Sequence, residues 1–557
     1  MYQNLGVNKL KIERIIIKNY KIYESLDFSV QNVNNVFVGN NGSGKTTLLE
    51  SIYLALTGRL DNQNIDNLLT PDMFANKVRR HYIDQLKKAE PAKLPKIIIE
   101  VYFKDEDDYA PLKGSENSQE TDCPGIRFEC SFDSQFADEY KSRLEVKQNN
   151  TDDFKVLDIP IEYYCVKRTY FSGQPVIQRT NPFKVFFVDG TRKSYANYIG
   201  KYIYSTIGSL LSEKESSQIR TVYENIRQNL KQHSVLQKFN QDNKENLHLA
   251  GKNVALTVRE SLPDDWLQEI TVSVDQFPFD NIGFGLQKMI ELELAVGKSS
   301  EKPGILLFEE PENNLSYPNM SKLINILERG SEKQKFISTH SSFVANKLGL
   351  GNLVLCGDGI MRSLSDLNEA DIKYFKRLPG YNTLRVLLSS CPVLVEGPTD
   401  ELLFNAAYLN KHNKLPIEDG IDIIVVDSLA FKRYLDVAKL IKKRTVVITD
   451  NDGDIEKLHH KYEGYLDNPL FKFCIEKDPN LHTLEPSMIH ANMENGTIKN
   501  LAQVVYGKEQ ISEDGLMDKL ETYMTGHKSL WSMRVLEKNT DISYPDNINQ
   551  AIKECQQ

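Results

Sequence analysis

Carboxylate residues follow two apolar runs in the second half of this 557-residue sequence. Glu396 and Asp400 follow the first run, and Asp450 and Asp452 follow the second. The carboxyl ends of parallel strands meet at one edge of a sheet, so these four side chains are expected to converge. Converging carboxylates repel one another unless a cation lies between them, and hard oxygen ligands favour Mg²⁺ or Mn²⁺. The pattern predicts a divalent-metal site; a solvated acidic loop is the alternative, and Asp454 is either a further ligand or a turn residue.

A glycine-rich segment in the first half fits a phosphate-binding loop. It matches G-x-x-x-x-G-K-[ST] and lies between an apolar strand and a helix predicted from Thr46 to Gly58. Backbone N–H groups of such a loop point at phosphates, Lys45 would reach the β- and γ-phosphates, and the Thr46 hydroxyl would bind Mg²⁺. The sequence therefore predicts ATP binding. The predicted nucleotide-binding residues of the loop are Gly39, Asn40, Asn41, Gly42, Ser43, Gly44, Lys45, Thr46 and Thr47.

Three further residues are placed to serve the same nucleotide. An apolar run ends in Glu309 and Glu310; Glu309 would hold Mg²⁺ directly or through water, and Glu310 would orient the attacking water. His340 lies just beyond the next apolar run, where it would contact the γ-phosphate. An isolated histidine is more often structural, but the order and spacing here favour the nucleotide role.

The elements that would position these residues indicate an α/β protein. In the second half, apolar runs alternate with helical stretches near Glu401 and Phe431, which predicts a parallel sheet with right-handed crossovers. The predicted strands are Ile97–Phe103, Ile126–Phe132, Lys184–Val188, Ile305–Phe308, Phe336–Ser338, Val393–Val395, Ile421–Val426 and Thr445–Thr449.

A polar segment between Ser212 and Leu249 carries an apolar stripe at helical spacing, which includes Val222, Ile226 and Leu230. Two structures fit this pattern equally well. One is a helix packed on its own domain, and the other is a projecting arm that pairs with a second chain.

Composition narrows the class of protein. The net charge of −9 counts mildly against a nucleic-acid partner, and the basic stretches Lys77–Arg80 and Lys442–Arg444 each fit a solvated surface better than a DNA track. No apolar run is long enough to span a membrane, and the first residues lack a secretory pattern. The seven cysteines form no CxxC pair, which is typical of a reducing cytoplasm.

The phosphate loop, the paired glutamates and the histidine together resemble the ABC ATPase head of SMC, Rad50 and RecF-like proteins. That resemblance implies a site completed by a signature loop from a second subunit, and hence at least a dimer. The candidate is the segment Gly283–Gln287, before a helix predicted at Lys288–Ala295, with Gly285 and Gln287 contacting the nucleotide. Glycine replaces the usual signature serine and no clear Q-loop is found, so the resemblance implies nucleotide binding and leaves efficient hydrolysis open.

The glutamate followed by the D-x-D pair resembles a Toprim domain, as in topoisomerases, primases and OLD nucleases. By this resemblance Glu485 is a late metal-binding glutamate, and Lys528, which precedes a helix predicted at Leu530–Leu536, stabilises charge on the reacting phosphate. The alternative for each is a surface ion pair. The resemblance implies two-metal phosphodiester hydrolysis. Its implied metal ligands are Glu396, Asp400, Asp450, Asp452 and Glu485.

An ABC head followed by a Toprim domain resembles the OLD (overcoming lysogenization defect) family over nearly the whole chain. The resemblance implies an ATP-regulated, Mg²⁺- or Mn²⁺-dependent DNA endonuclease, a dimer or tetramer, acting in antiphage defence. The Gabija nuclease subunit and retron-associated OLD nucleases share the layout, so a helicase, or a retron reverse transcriptase with its msDNA, is an implied partner. The implied domains are an ATPase N-terminal lobe at 1–200, a helical dimerisation insertion at 201–250, an ATPase C-terminal lobe at 251–370 and a Toprim domain at 385–557.

Two other functions remain open from the sequence. The same Toprim site would serve a toxin that cuts RNA, for instance tRNA. Alternatively, the chain would be a nucleotide-dependent sensor or scaffold whose partner acts. The intact set Glu396, Asp450 and Asp452 disfavours the scaffold, and incubation with plasmid and with tRNA separates the two nucleases.

Overall fold

Alternating strands and helices make up most of the chain in the computed structural model. The described residues are 11–30, 33–60, 63–88, 93–105, 111–148, 158–177, 183, 185–189, 211–244, 248–249, 252–258, 272–297, 304–329, 333–357, 360–364, 369–377, 381–426, 430–451, 453–507, 515–538 and 541–556. The strands are β1 (Ile12–Tyr20), β2 (Tyr23–Ser29), β3 (Asn34–Val38), β4 (Arg59–Leu60), β5 (Gln63–Asn64), β6 (Ile97–Phe103), β7 (Lys113–Gly114), β8 (Cys123–Phe132), β9 (Tyr164–Tyr170), β10 (Val185–Asp189), β11 (His248–Leu249), β12 (Lys252–Asn253), β13 (Ser273–Val274), β14 (Phe277–Pro278), β15 (Ile305–Glu309), β16 (Lys335–Ser338), β17 (Leu353–Gly357), β18 (Ile360–Ser363), β19 (Cys391–Val395), β20 (Ile421–Val425), β21 (Thr445–Ile448) and β22 (Phe471–Cys474).

The α-helices are α1 (Lys45–Thr57), α2 (Asn76–Lys87), α3 (Ala137–Gln148), α4 (Glu213–Lys231), α5 (Ser234–Asp242), α6 (Phe284–Gly297), α7 (Tyr317–Glu328), α8 (Ser342–Lys347), α9 (Glu369–Arg377), α10 (Tyr381–Leu388), α11 (Pro398–His412), α12 (Phe431–Leu440), α13 (Ile455–Lys461), α14 (Leu484–Glu494), α15 (Ile498–Tyr506), α16 (Leu516–Gly526), α17 (Lys528–Lys538) and α18 (Asp546–Cys555). None of the described helices is long and apolar enough to cross a membrane.

An antiparallel sheet in the first third of the chain has the order β2-β1-β6-β8-β7, with β9 also paired to β8. The β-branched run of β1 lies against that of β6, where Ile15 pairs with Val101 and Ile17 with Ile99. These residues are buried in one core with the apolar residues of α1. The sheet therefore supports the helix that follows the phosphate loop.

A second sheet, of order β10-β15-β16-β3-β17-β18, carries the residues predicted to bind nucleotide. Strands β15, β16, β3 and β17 are parallel. The register pairs Glu309 with Ser338, and Ser338 with Phe37. The carboxyl ends of three adjacent strands therefore lead into the phosphate loop, the glutamate pair and the histidine segment.

A third sheet, of order β20-β19-β21-β22, is parallel throughout, as the sequence predicts. Its central strands β19 and β21 are buried on both faces, which explains their unbroken apolar composition. Helices α11 and α14 to α18 contribute to the same core. This is the α/β architecture expected of a Toprim domain.

The chain packs as two compact units. One contains the described residues within 1–187, 303–309 and 331–557, and the other those within 188–302 and 310–330. The second unit contains α4, which begins at the predicted polar segment and has no buried residue. Val222, Ile226 and Leu230 are 58%, 59% and 52% exposed, so among the described residues the stripe stays open to solvent. That exposure favours the arm over the packed helix.

Two predicted helix starts are wrong. The segment Gly283–Gln287 does not precede a helix, because α6 begins at Phe284 and the Gly283 carbonyl already accepts N–H bonds from Leu286 and Gln287. Lys528 does not precede its helix either, since α17 begins at Lys528 itself. Both errors arise at helix termini, where the apolar repeat gives no signal for the first turn.

Candidate functional site

The phosphate loop joins β3 to α1 through a tight backbone path that needs glycine. Gly42 and Gly44 have φ values of 77° and 96°, in the left-handed region. A side chain at Gly39 would place Cβ 2.3 Å from the Cys356 carbonyl oxygen of β17. Lys45 is buried, and its Nζ donates to the carbonyl oxygens of Gly39 and Asn40 at 2.8 and 3.0 Å. The lysine thus lies inside the loop that it is predicted to serve.

The loop and β15 bring two predicted magnesium ligands together. The Thr46 hydroxyl donates a hydrogen bond to Oε1 of Glu309, a buried residue. On the neighbouring strand β16, the Thr339 N–H donates to the Phe37 carbonyl at 3.0 Å, which holds the segment beside β3. His340 follows directly and is exposed at this edge. Thr46, Glu309 and His340 therefore share the carboxyl edge of one sheet.

The second compact unit carries the other predicted nucleotide residues. Glu310 adopts a left-handed conformation, with φ 42°, and its Oε2 accepts a 2.6 Å bond from the Asn313 amide. Gln287 is buried and donates to the Phe279 carbonyl at 2.7 Å. Gly285 lies in the first turn of α6, where an added Cβ would be 3.0 Å from the Asn314 carbonyl. The Gln287 amide nitrogen is thus engaged with its own loop.

The Toprim sheet places Glu396 and Asp400 at one carboxyl edge. Glu396 follows β19, and the hydroxyl of Thr449, which follows the adjacent β21, donates a hydrogen bond to its Oε1. Asp400 lies in the first turn of α11 and accepts a 2.9 Å bond from the Gly397 N–H. Two adjacent strands and one helix terminus therefore fix the orientation of both carboxylates.

The loop after β21 is held by a residue that the sequence did not single out. Asn451 is fully buried, and its amide donates to the carbonyls of Glu476 and Asp478 at 3.0 and 2.9 Å. Its Oδ1 accepts the Gly453 N–H at 2.9 Å. Asn451 lies between Asp450, which is half-buried, and residue 452, which lies outside the described residues. The one sequence feature that could have drawn attention to Asn451 is its position as a polar residue between the acidic residues 450 and 452.

We expect Asn451→Ala to destabilise the protein by about 1–3 kcal/mol, because two partly buried carbonyls and one N–H lose the hydrogen bonds that the buried Asn451 amide makes. Thermal unfolding would measure this as a lower Tm. Asn495→Ala is the control, since Asn495 is exposed on the same half of the chain. Equal Tm values for the two variants would show that Asn451 does not hold the loop.

Glu485 and Lys528 form an ion pair with each other. The Lys528 Nζ lies 3.0 Å from Glu485 Oε1, and the side chains are 52% and 2% exposed, respectively. Glu485 lies in the first turn of α14, and Lys528 begins α17. The pair is thus half-buried rather than a solvated surface pair, and it presents a cationic group beside a buried carboxylate.

The electrostatics of Asp400 connect these groups. Burial raises the pKa of Asp400 to about 6, the Gly397 N–H lowers it, the negative charges of Glu396 and Glu485 raise it, and Lys528 lowers it. The carboxyl is therefore ionised at neutral pH but close to its titration range. Three acidic side chains act on one another here at an electrostatic cost that a divalent cation would relieve.

The donor set fits a divalent metal chemically. Glu396, Asp400, Asp450 and Glu485 offer hard oxygen ligands of the kind that Mg²⁺ and Mn²⁺ take. Within the described residues, which leave out 452, no three acidic, histidine or cysteine side chains already form a close ligand group. Asp454 acts differently, since its Oδ1 caps α13 by accepting the Lys457 N–H at 2.9 Å. That contact supports the turn role for Asp454.

Family models match both halves of the chain. Residues 10–345 match the AAA ATPase domain, and residues 387–452 match the Overcoming lysogenization defect protein-like, TOPRIM domain. The two matches define an enzyme class that joins a nuclease-type Toprim domain to a nucleotide-binding ATPase domain. Because the first match spans more than half of the 557 residues, the chain belongs to the AAA ATPase domain family, and it also carries a Toprim domain of the OLD-like type.

Curated relatives match over short segments. Sixty residues are 38% identical to the DNA replication and repair protein RecF of Lacticaseibacillus casei (strain BL23), covering 11% of this chain and 16% of that protein. Forty-seven residues are 45% identical to the DNA double-strand break repair Rad50 ATPase of Nanoarchaeum equitans (strain Kin4-M), covering 8% of this chain and 6% of that protein. The chain thus aligns with less than a fifth of the length of either relative.

Solved structures similar to each half are also known. The Smc head domain bound to the C-terminal domain of ScpA from Pyrococcus furiosus covers 64% of this chain and 97% of its own, at 13% identity and a TM-score of 0.31. The C-terminal region of the Burkholderia pseudomallei OLD protein covers 30% and 98%, at 17% identity and a TM-score of 0.25. The family assignment rests on the family models.

Proposed function

We propose that this protein is an ATP-binding, divalent-metal-dependent DNA endonuclease that hydrolyses phosphodiester bonds at its Toprim domain. One observation carries the proposal: the interacting carboxylates Glu396, Asp400 and Glu485 beside the Lys528 ammonium, at the edge of a parallel sheet. Phosphodiester hydrolysis needs anionic ligands for metal ions and a cation near the reacting phosphate. This edge offers both.

The proposed metal ligands are drawn from the two strand ends and α14. When bound, the metals supply a nucleophilic hydroxide and stabilise the leaving oxygen. Thr449 orients Glu396 through its hydroxyl, and the half-exposed Lys528 neutralises charge on the substrate phosphate. The proposed ligands are Glu396, Asp400, Asp450, Asp452 and Glu485.

The ATPase site would regulate cleavage through nucleotide binding. Lys45 would donate to the phosphates, while Thr46 and Glu309, already hydrogen-bonded to each other, would hold Mg²⁺. Glu310 would orient water, and His340 would contact the γ-phosphate. Gly285 and Gln287 would contact the nucleotide of a second subunit.

DNA is the proposed substrate. The similar RecF and Rad50 proteins are named for DNA replication and repair and for DNA double-strand break repair. We also propose, from the resemblance to OLD nucleases, that the activity serves antiphage defence in the cytoplasm. A helicase, or a retron reverse transcriptase with its msDNA, is the proposed partner class.

A second copy of the chain is the proposed partner of α4. We expect the double variant Ile226→Asp, Leu230→Asp to lower the mass of the assembly, because two exposed apolar groups of one stripe become charged. Size-exclusion chromatography with light scattering measures this, and Gln228→Asp, an exposed neighbour, is the control. An unchanged oligomer in the double variant would place the interface elsewhere.

The nuclease proposal is tested by incubating the full chain with plasmid DNA and with total tRNA, in Mg²⁺, Mn²⁺ or EDTA, with and without ATP. Metal-dependent plasmid cleavage is the expected result. Cleavage of tRNA alone would reassign the substrate to RNA, and no cleavage under any metal condition would remove the nuclease function.

A further inference from the structure

The basic turn Lys442–Arg444 lies beside the phosphate loop, at the connection from α12 to β21. One pocket of about 700 Å³ is lined both by this turn and by residues Asn40–Ser43 of the phosphate loop, and we call it the basic-turn pocket. Its remaining walls come mainly from the end of β17 and the end of α10 with the residues after it. The Asn40 amide donates to the Leu388 carbonyl at 3.4 Å across this junction. Residues that follow the ATPase sheet and residues of the Toprim domain thus line the same positively charged pocket.

The basic-turn pocket is lined by four cations, Arg362, Lys442, Lys443 and Arg444, and by no carboxylate of a described residue. Arg444 is neutralised by Glu554 at 2.8 Å. Arg362 and Lys442, by contrast, form no ion pair within the described part of the chain. Two uncompensated cations beside a phosphate-binding loop are unexpected in a protein with a net charge of −9.

The other basic stretch shows what a structural role looks like. Lys77 pairs with Glu24 at 2.7 Å, and Arg79 pairs with both Asp72 and Asp158. The positive charge of Lys77 and Arg79 is therefore neutralised by neighbouring carboxylates. The cations of the basic-turn pocket instead converge on a cavity.

Local hydrogen bonds fix the turn. The N–H groups of Lys442 and Lys443 donate to the carbonyls of Lys439 and Ala438 at 3.1 and 2.8 Å. The Arg362 guanidinium donates to the Ile441 carbonyl, and Lys443 Nζ donates to the Ser389 carbonyl at 2.9 Å. Because the backbone is held in place, a ligand would find the cations already positioned and would meet a smaller ordering cost.

We propose that the basic-turn pocket binds a phosphate group that contacts the ATPase head and the Toprim domain together. The pocket combines cationic side chains with residues of a phosphate-binding loop, and no described residue that lines it is acidic. Such a lining favours a phosphate over a neutral or cationic ligand. The bound phosphate belongs either to the nucleotide in the loop or to a nucleic-acid backbone. This phosphate site rests on the proposed function and extends it. The basic turn is joined to Asp450, a proposed metal ligand, by strand β21, so a phosphate bound at the turn lies at the other end of a strand that leads to the nuclease site.

The test compares the double variant Arg362→Gln, Lys442→Gln with the wild-type full chain. Affinities are measured for ATP with Mg²⁺ and for a fluorescein-labelled single-stranded DNA 20-mer, and Lys442→Gln alone guards against a folding defect of the double variant. The control is Lys411→Gln, Lys457→Gln, two exposed lysines of the Toprim half outside the pocket. Melting temperatures verify that all variants are folded.

We expect the double variant to bind at least one probe about tenfold more weakly than the control, since two charge-assisted contacts are lost. A loss confined to ATP identifies the nucleotide as the phosphate source. A loss of affinity confined to DNA identifies the nucleic-acid backbone as the phosphate source. In that case the slope of log affinity against log salt concentration should also be shallower, by an amount that corresponds to about two lost phosphate contacts.

Equal affinities of the double variant and the control for both probes would overturn the proposal, as would a wild-type chain that binds neither. Cleavage is scored in parallel and separates the two hypotheses. A wild-type chain that binds either probe but cuts nothing rejects the nuclease, while the binding comparison still decides the pocket.

Discussion

Replacing Glu396 by glutamine is expected to reduce nucleic-acid cleavage by at least about 100-fold, because a neutral amide is a poor ligand for a hard divalent ion. The change keeps the size of the side chain and its capacity to accept the Thr449 hydrogen bond. ATP affinity should stay within about twofold of wild type, because the nucleotide residues lie on a different sheet. Cleavage of plasmid DNA with Mn²⁺, and ATP binding by the same preparation, measure the two effects.

Glu463→Gln is the matched control for this experiment. Glu463 belongs to the same domain and is exposed, and among the residues that the structure describes its carboxylate has an ionic contact with His460 alone. It should cleave like the wild type. Wild-type cleavage by Glu396→Gln would remove the Toprim edge as the site of chemistry, whereas equal losses in both variants would point to a general charge effect.

Lys45→Ala is expected to weaken ATP binding by about 10- to 100-fold, because the phosphates lose a charge-assisted hydrogen bond from a buried ammonium. The substitution also releases the carbonyls of Gly39 and Asn40, which the ammonium now contacts. Equilibrium binding of a fluorescent ATP analogue measures the effect. Lys87→Ala, an exposed lysine in the last turn of α2, is the control and should bind normally.

The Lys45→Ala variant also tests the direction of regulation. If nucleotide restrains the nuclease, cleavage by this variant no longer responds to ATP and equals that of the nucleotide-free wild type. If nucleotide licenses cleavage, the variant stays inactive when ATP is added. Undiminished ATP affinity would show that the loop does not bind nucleotide as its sequence predicts.

Local patterns predicted the parts of the fold that local forces determine. The apolar runs before Gly39, Glu309, Glu396 and Asp450 all form buried strands, because an unbroken apolar run suits a strand covered on both faces. The glycine-rich turn likewise follows from backbone freedom at Gly42 and Gly44. These features need only a few consecutive residues.

Contacts between segments that are distant in the chain could not be predicted from the sequence. Thr449 and Asn451 acquire their roles only when β19, β21 and the loop after β22 are assembled. The same holds for the Glu485–Lys528 pair, which joins two helices. The basic turn Lys442–Arg444 reads as a solvated charge run, since nothing in the sequence indicates that the phosphate loop, some 400 residues earlier, lies beside it.

The central claim is that the carboxylates at the Toprim edge hold divalent ions. Isothermal titration calorimetry of Mn²⁺ into the nucleotide-free full chain measures this directly. Wild-type protein should bind one or two ions, and Glu396→Gln combined with Asp450→Asn should lower the affinity by at least about tenfold. Identical Mn²⁺ binding by the wild type and the double variant would contradict the claim.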